Sequence, residues 1–341
     1  MTKQALKHFA ASGALLGLLV SASLCMAQGK GRLPGRKGFI PTAAHASQSA
    51  NRSQRASGSK DAPADGSQSY AFSFVDYPQS SSTYLEGINS GAASSKLELV
   101  GDNDNATPGF TLRVEGKGGL TYAFKPITLP ENSDATGIND FGQIVGEYLN
   151  SAESYELSGT NLTTIAVPFA GTAWTQADDI NNSGEVVGIY WDSTAAALYG
   201  FSLSGGVYTQ LAYPGATATD TSGNNNLGEI TGFYVDSSSI SHGLLISGGT
   251  YTSFDVPGAM GTFGSANNDS GAIVGWYCTT SECLDNNSGA QGFLLSGGVY
   301  TTINVPGATS TELLDINNKG VINGTYNDSR GGIHAFLAFP Q

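Results

Sequence analysis

Ser296-Gly297-Gly298-Val299-Tyr300-Thr301-Thr302-Ile303-Asn304-Val305-Pro306-Gly307 is followed by Asp315-Ile316-Asn317-Asn318-Lys319-Gly320 and then by Val321-Ile322-Asn323-Gly324-Thr325-Tyr326. Versions of this series recur along the chain from Tyr70 onward, and a fixed period decides the architecture before any local reading does. The repeats align on the prolines Pro78, Pro130, Pro168, Pro214, Pro257 and Pro306. Three residues before them stand Val75, Ile127, Ile165, Leu211, Phe254 and Ile303, and one before stand Tyr77, Leu129, Val167, Tyr213, Val256 and Val305. The residue between those two is small or polar each time. Alternation of this kind is a half-buried β-strand, and proline suits its end.

Outward from that strand lie two more. Ile-Val-Gly-x-Tyr recurs as Ile144–Tyr148, Val186–Tyr190, Ile230–Tyr234, Ile273–Tyr277 and Ile322–Tyr326, with a degenerate first copy at Leu97–Gly101. Its glycine sits where a neighbouring backbone or ring comes close, and we read it as room for an aromatic of the next sheet. A short Phe-x-Leu strand follows, as Phe201–Leu203 and Phe293–Leu295 illustrate. Between the proline strand and Ile-Val-Gly-x-Tyr runs Ile-Asn-Asn-x-Gly, for example Asn181–Gly184 and Asn317–Gly320. Asn and Gly are turn formers. Calcium ligation is the rival reading, but the motif lacks the acidic density of a calcium loop.

Each unit of about 45 residues thus offers four strands, and radially arranged four-stranded sheets of this size are β-propeller blades. The sequence predicts an all-β, six-bladed β-propeller of four-stranded antiparallel blades over residues 70–341. The chain enters on a proline-type strand and leaves on a Phe-x-Leu type, consecutive strands of one unit. The N-terminal strand, residues 70–78, is therefore expected to pair with the C-terminal strand, residues 333–339, and seal the ring.

Residues 1–27 read as a signal peptide, with Lys3 and Lys7 before an apolar run and Ala27 as the last residue removed. Residues 28–69 are basic and then Ser/Ala-rich, without apolar periodicity, and are expected to be a disordered linker. The 341 residues carry a net charge of −13. After residue 69 the only basic side chains are Lys96, Arg113, Lys117, Lys125, Lys319 and Arg330. So acidic a body repels nucleic acid and anionic membranes. Charged residues are 13% of the chain, common in a secreted all-β protein.

The stretches Gly137-Ile-Asn-Asp-Phe-Gly-Gln-Ile-Val-Gly146 and His334-Ala335-Phe336-Leu337 resemble the HAF-type extracellular repeats. The resemblance covers residues 70–341 and implies a secreted bacterial repeat protein, extracellular or periplasmic. It implies no chemistry. The first unit departs from the pattern, and Tyr199 or Gln291 stands where His334 stands.

Candidate functional residues are few. His242 and His334 occupy equivalent places in different units, which points to a repeat-borne structural role. Cys278 and Cys283 are the cysteines left after signal removal, and a local disulfide pinning a long loop is the simplest reading in an oxidising compartment. No catalytic triad, phosphate loop or zinc-type cluster stands out, and no cofactor or metal is implied. The loops after Ile-Val-Gly-x-Tyr vary and carry Trp191, Asp192, Asp236, Asp285 and Asp328, with Trp276 just before one of them. Variable loops on a rigid scaffold are where binding usually resides, and the tryptophans could stack on a sugar ring. Turn chemistry alone also accounts for the Asp residues. The sequence thus points to a non-enzymatic, monomeric binding protein with a glycan, peptide or envelope partner. An extracellular polysaccharide hydrolase or lyase and a purely structural surface protein are the alternatives.

Overall fold

A computed structural model describes residues 69–91, 96–103, 109–115 and 120–341. The expected signal peptide and nearly all of the expected linker lie outside the described residues. The fold is all-β, in a β-propeller-like arrangement of antiparallel sheets. The strands are β1 (Tyr70–Val75); β2 to β5 (Thr83–Ile88, Leu97–Asn103, Phe110–Glu115, Thr121–Pro126); and β6 to β9 (Ser133–Ile138, Gln143–Tyr148, Ser154–Ser158, Asn161–Ile165). Next come β10 to β13 (Thr172–Ile180, Val186–Asp192, Ala197–Ser204, Val207–Leu211) and β14 to β17 (Ala218–Asn224, Ile230–Val235, Ser241–Ser247, Thr250–Phe254). The series ends with β18 to β21 (Gly261–Asn267, Ile273–Cys278, Gln291–Ser296, Val299–Thr302) and β22 to β24 (Ser310–Ile316, Ile322–Asn327, Ile333–Pro340). The single helix among the described residues is α1 (Ser281–Asn286).

Four sheets have four strands each, in the orders β2-β3-β4-β5, β6-β7-β8-β9, β18-β19-β20-β21 and β22-β23-β24-β1. The remaining eight strands form one sheet, but β10–β13 and β14–β17 are joined only through the parallel pair Leu198↔Ala218. The sheet of β22, β23 and β24 takes its outer strand from the other end of the chain: β1 pairs antiparallel with β24 from Tyr70↔Pro340 to Val75↔Ala335.

The first strand of each unit carries a bulge, between Leu85 and Gly87, Ala135 and Gly137, Ala177 and Asp179, Thr221 and Gly223, Gly264 and Ala266, and Leu313 and Asp315. Opposite each bulge stands the glycine of Ile-Val-Gly-x-Tyr. A side chain on Gly188 would run into the carbonyl oxygen of Gln176, and one on Gly275 into that of Phe263. Its partner on the third strand is always large: Gly101↔Phe110, Gly146↔Tyr155, Gly188↔Phe201, Gly232↔Leu244, Gly275↔Phe293 and Gly324↔Phe336. All six partners are fully buried. This corrects the sequence expectation: the room made by the glycine is taken by the bulged strand and by a large side chain of its own sheet, aromatic in five of the six units, not by an aromatic of the next one.

Candidate functional site

The two ends of the sheet assembly differ in chemistry. At one end lie the loops after Ile-Val-Gly-x-Tyr, where the sequence places binding. The Asp residues there serve their own turns. Asp192 Oδ1 accepts from Thr194 N at 2.7 Å and Ala195 N at 2.9 Å. Asp236 Oδ1 accepts from Ser238 N at 2.8 Å and Ile240 N at 2.9 Å, and Asp328 Oδ1 from Arg330 N and Gly332 N, both at 2.8 Å. The Ile240 and Gly332 N–H groups, aided by the nearby histidines, hold Asp236 and Asp328 below the usual carboxylate range. Asp285 is exposed on α1, two residues past Cys283, which a disulfide joins to Cys278.

Trp276 is not available to a ligand. It is 4% exposed and stacked on Phe263 with ring centroids 3.9 Å apart. Period two turns it inward with Val274 and Cys278, so the proposed sugar platform is a core side chain. Trp191 is half-buried, paired across strands with Trp174 and packed against the same core. The sequence-predicted residues are therefore spread along one end and do not converge.

The histidines sit at that same end in matching clusters. His242 Nδ1 lies 2.9 Å from Asp255 Oδ2 and His242 Nε2 lies 3.7 Å from Asp236, with the ring stacked on Tyr234. His334 repeats this with Asp76 at 3.0 Å, Asp328 at 3.6 Å and Tyr326. In the second cluster Asp76 comes from the chain's beginning, just past β1.

The opposite end is built from the Asn turns. Asn181 Oδ1 accepts from Ser183 N at 3.0 Å and Glu185 N at 3.1 Å, while Gly184 takes the positive φ of 78° that closes the turn. Its Nδ2 donates to Asn225 O at 3.0 Å in the next unit. An amide side chain carries both donor and acceptor, so one residue shapes its turn and straps it to its neighbour. Asn139 donates likewise to Asn181 O, Asn225 to Asn268 O, Asn268 to Asn317 O and Asn317 to Asn89 O. A second series links the next residues: Ser90 N to Asp140, Asp140 N to Asn182, Asn182 N to Asn226, Asn226 N to Asp269, Asp269 N to Asn318, and Asn318 N to Ser90 Oγ. That series ends on the turn where it began.

These turns surround a central cavity of about 50 Å³, at whose wall lie Asp179 and Asp315. The two occupy equivalent places past the bulges of β10 and β22. Each carboxylate bridges two units: Asp179 accepts from Ile180 N at 2.8 Å and Asn224 N at 3.0 Å, Asp315 from Ile316 N at 2.7 Å and Ile88 N at 2.8 Å. Burial pushes Asp179 up to about 6, and burial together with the negative charge of Asp179 pushes Asp315 well above the ordinary carboxylate value. The six first strands bear Glu86, Asp134, Asp178, Asp179, Asp220, Glu312 and Asp315 and no basic residue. Around the mouth the turn tips expose Phe141 (68%) and Leu227 (68%), and Val207 and Val299 are exposed on the glycine turns at the same end.

Sequence reasoning read these Asn turns as turn chemistry and set calcium ligation there aside. The two half-buried carboxylates were in view as Asp-Ile-Asn, where two other units have Gly-Ile-Asn, and that substitution was the available signal. Among the described residues no helix is long and apolar enough to cross a membrane.

No protein-family model matches the chain, and no curated protein matches it. Among solved structures it is similar to a mutant of the Aleuria aurantia lectin in complex with α-methyl-L-fucoside, at 12% identity over 74% of this chain and 91% of that one, with a TM-score of 0.50. It is also similar to a gluconolactonase from Xanthomonas campestris (12% identity, 80% and 90% covered, TM-score 0.48) and to a streptogramin B lyase (13%, 79% and 98%, 0.43). At such identities the likeness bears on the fold alone.

Proposed function

We propose that this chain is an exported, HAF-type six-bladed β-propeller that binds a polar extracellular ligand, a glycan or a peptide, without transforming it. In this reading residues 1–27 direct export, 28–69 link, and 70–341 form the ring, which β1 seals against β24. The pairing of β1 with β24 and the returning series of turn hydrogen bonds support closure. Binding is assigned to the Asn-turn end. One observation carries this: that end gathers amides and carboxylates around one cavity beside the exposed apolar tips Phe141 and Leu227, whereas Asp192, Asp236 and Asp328 are each tied into a separate turn. Exposed apolar groups beside polar ones are what ligand surfaces offer.

A polysaccharide hydrolase or lyase is the second reading, favoured by the Asp179–Asp315 pair, since carboxyls with displaced pKa values can divide acid and base roles. The cavity opposes it. At about 50 Å³ it is far below the several hundred Å³ of a small-molecule site.

The test is a glycan and peptide array run beside a reducing-sugar release assay. Phe141→Ala with Leu227→Ala is expected to weaken binding at least about tenfold, the loss of two apolar contacts, with an unchanged melting temperature. Binding indifferent to both substitutions contradicts the assignment to this end. Product release that disappears in Asp315→Asn establishes the enzyme.

A further inference from the structure

At the position just past the bulge, four units carry nothing larger than a methyl group: Gly87, Gly137, Gly223 and Ala266. A side chain on Gly137 would meet the Cα of Asp179, and one on Gly223 the backbone of Ser265 and Ala266. Those units fold without a carboxylate there, so the fold itself does not demand Asp179 and Asp315. Yet both stand in units three apart in the chain, and both line the same cavity.

Their surroundings are acceptor-rich. No Lys, Arg or His is among the residues lining the cavity. Each carboxylate oxygen accepts one backbone N–H, which leaves it a further lone pair. A second feature is independent of the acids. Where Ile88, Ile138, Ile180 and Ile316 stand, two units have Asn224 and Asn267, 6% and 5% exposed. Their nitrogens donate to Glu185 O and Glu229 O at 3.0 and 3.3 Å. Their Oδ1 atoms are buried without a hydrogen-bond partner, and both residues line this cavity. A buried acceptor left unmatched is costly, and here two of them replace an isoleucine that serves elsewhere.

We propose that the central cavity binds one hard divalent cation of the Ca²⁺ or Mg²⁺ class, held between Asp179 and Asp315 and kept partly hydrated. Oxygen-only donors select such ions. Among the described residues no three His, Cys, Asp or Glu side chains gather to hold a metal by themselves. Amide oxygens and water therefore complete the shell. A cavity of about 50 Å³ admits an ion with two or three waters, each needing roughly 10–15 Å³ of such volume. The cation joins units on opposite sides of the channel and so stabilises the assembly. The proposal does not depend on which partner the protein binds.

The test uses the full mature chain stripped with chelator. Melting is followed with millimolar CaCl₂, MgCl₂ or MnCl₂ against NaCl of equal ionic strength, and Tb³⁺ luminescence gives the stoichiometry. The wild type is expected to gain about 4 °C or more with at least one divalent ion and to bind about one Tb³⁺. Asp315→Asn and Asp179→Asn are each expected to melt no lower than wild type in chelator and to lose the gain. Asp236→Asn, at the other end, keeps it. No divalent-specific gain and no stoichiometric Tb³⁺ in the wild type overturns the site, as does an undiminished gain in both cavity variants. Should the variants fold poorly, the wild-type stoichiometry decides alone.

Discussion

The β14–β17 sheet and the sheet of β22, β23, β24 and β1 are two copies of one design that differ in how their last strand is attached. Both place a histidine on the third strand between a tyrosine and two Asp residues, and both place an acid, the buried Asp220 or the half-buried Glu312, at the same position of the first strand. In the first copy everything comes from one continuous stretch. In the second, the outer strand and Asp76 come from the other end of the chain. Identical side-chain chemistry thus acts once as local reinforcement and once as a fastening between termini. Any difference in sensitivity between the two copies isolates the contribution of closure.

The largest expected effect comes from removing the borrowed strand. Deleting residues 70–78 strips Val75 from its core and leaves β24 as an open edge. The melting temperature is expected to fall by more than about 10 °C, several kcal/mol on a domain of this size. A truncation as stable as the parent breaks the comparison outright.

Next in size are the mid-strand glycines. Gly232→Ala and Gly324→Ala push a methyl group into the carbonyl oxygens of Asp220 and Glu312. Each is expected to cost about 2–4 kcal/mol in denaturant titration, as overpacking against backbone does. Closure predicts a similar cost in both copies, because this contact lies within a sheet. A much larger cost at Gly324 would show that the borrowed strand leaves its whole sheet soft.

The buried acids come third. Burial pushes Asp220 up to about 6 and Glu312 up to about 7, from ordinary values of 3.8 and 4.5. Both folded values lie above the unfolded ones, so the folded state binds the extra protons. The stability these groups permit is fullest below pH about 4 and is lost as pH rises through 6 and 7. Glu312→Gln is expected to raise stability at pH 8 by about 1–2 kcal/mol and to change it little at pH 4. Asp220→Asn should do the same to a smaller extent. A stabilisation equal at both pH values contradicts burial as the cause.

The histidines give the smallest effect. His242→Ala and His334→Ala remove half-exposed pairs worth about 0.5–1 kcal/mol each. Only His334→Ala is expected to speed amide exchange in residues 70–77, since only its Asp76 follows directly on the borrowed strand.

Much of this was legible because it is local. Period-two alternation before Pro214 or Pro306, and Gly after Asn-Asn, state strand and turn within a few residues. Even the pairing of the terminal strands followed from the phase of the repeat. What escaped was set by contacts between units or by packing direction. The bulge at Ser222 or Leu314 has no residue signature, so the reason for Gly232 and Gly324 was misassigned. Trp276 resembled a loop aromatic, being one residue from the strand's Tyr277, but strand parity buries it. Asn181 gave away its turn, yet nothing in its neighbourhood announces the bond to Asn225. Asp179 and Asp315 are distant in sequence, and only the fold brings them to one cavity.

The most direct test of the account is amide hydrogen exchange read by mass spectrometry on peptides spanning 70–77 and 333–340. A ring sealed by these strands predicts that both segments exchange slowly, together, and at the rate of the central strands such as 230–235. Fast exchange of 70–77 while 230–235 stays protected would contradict it.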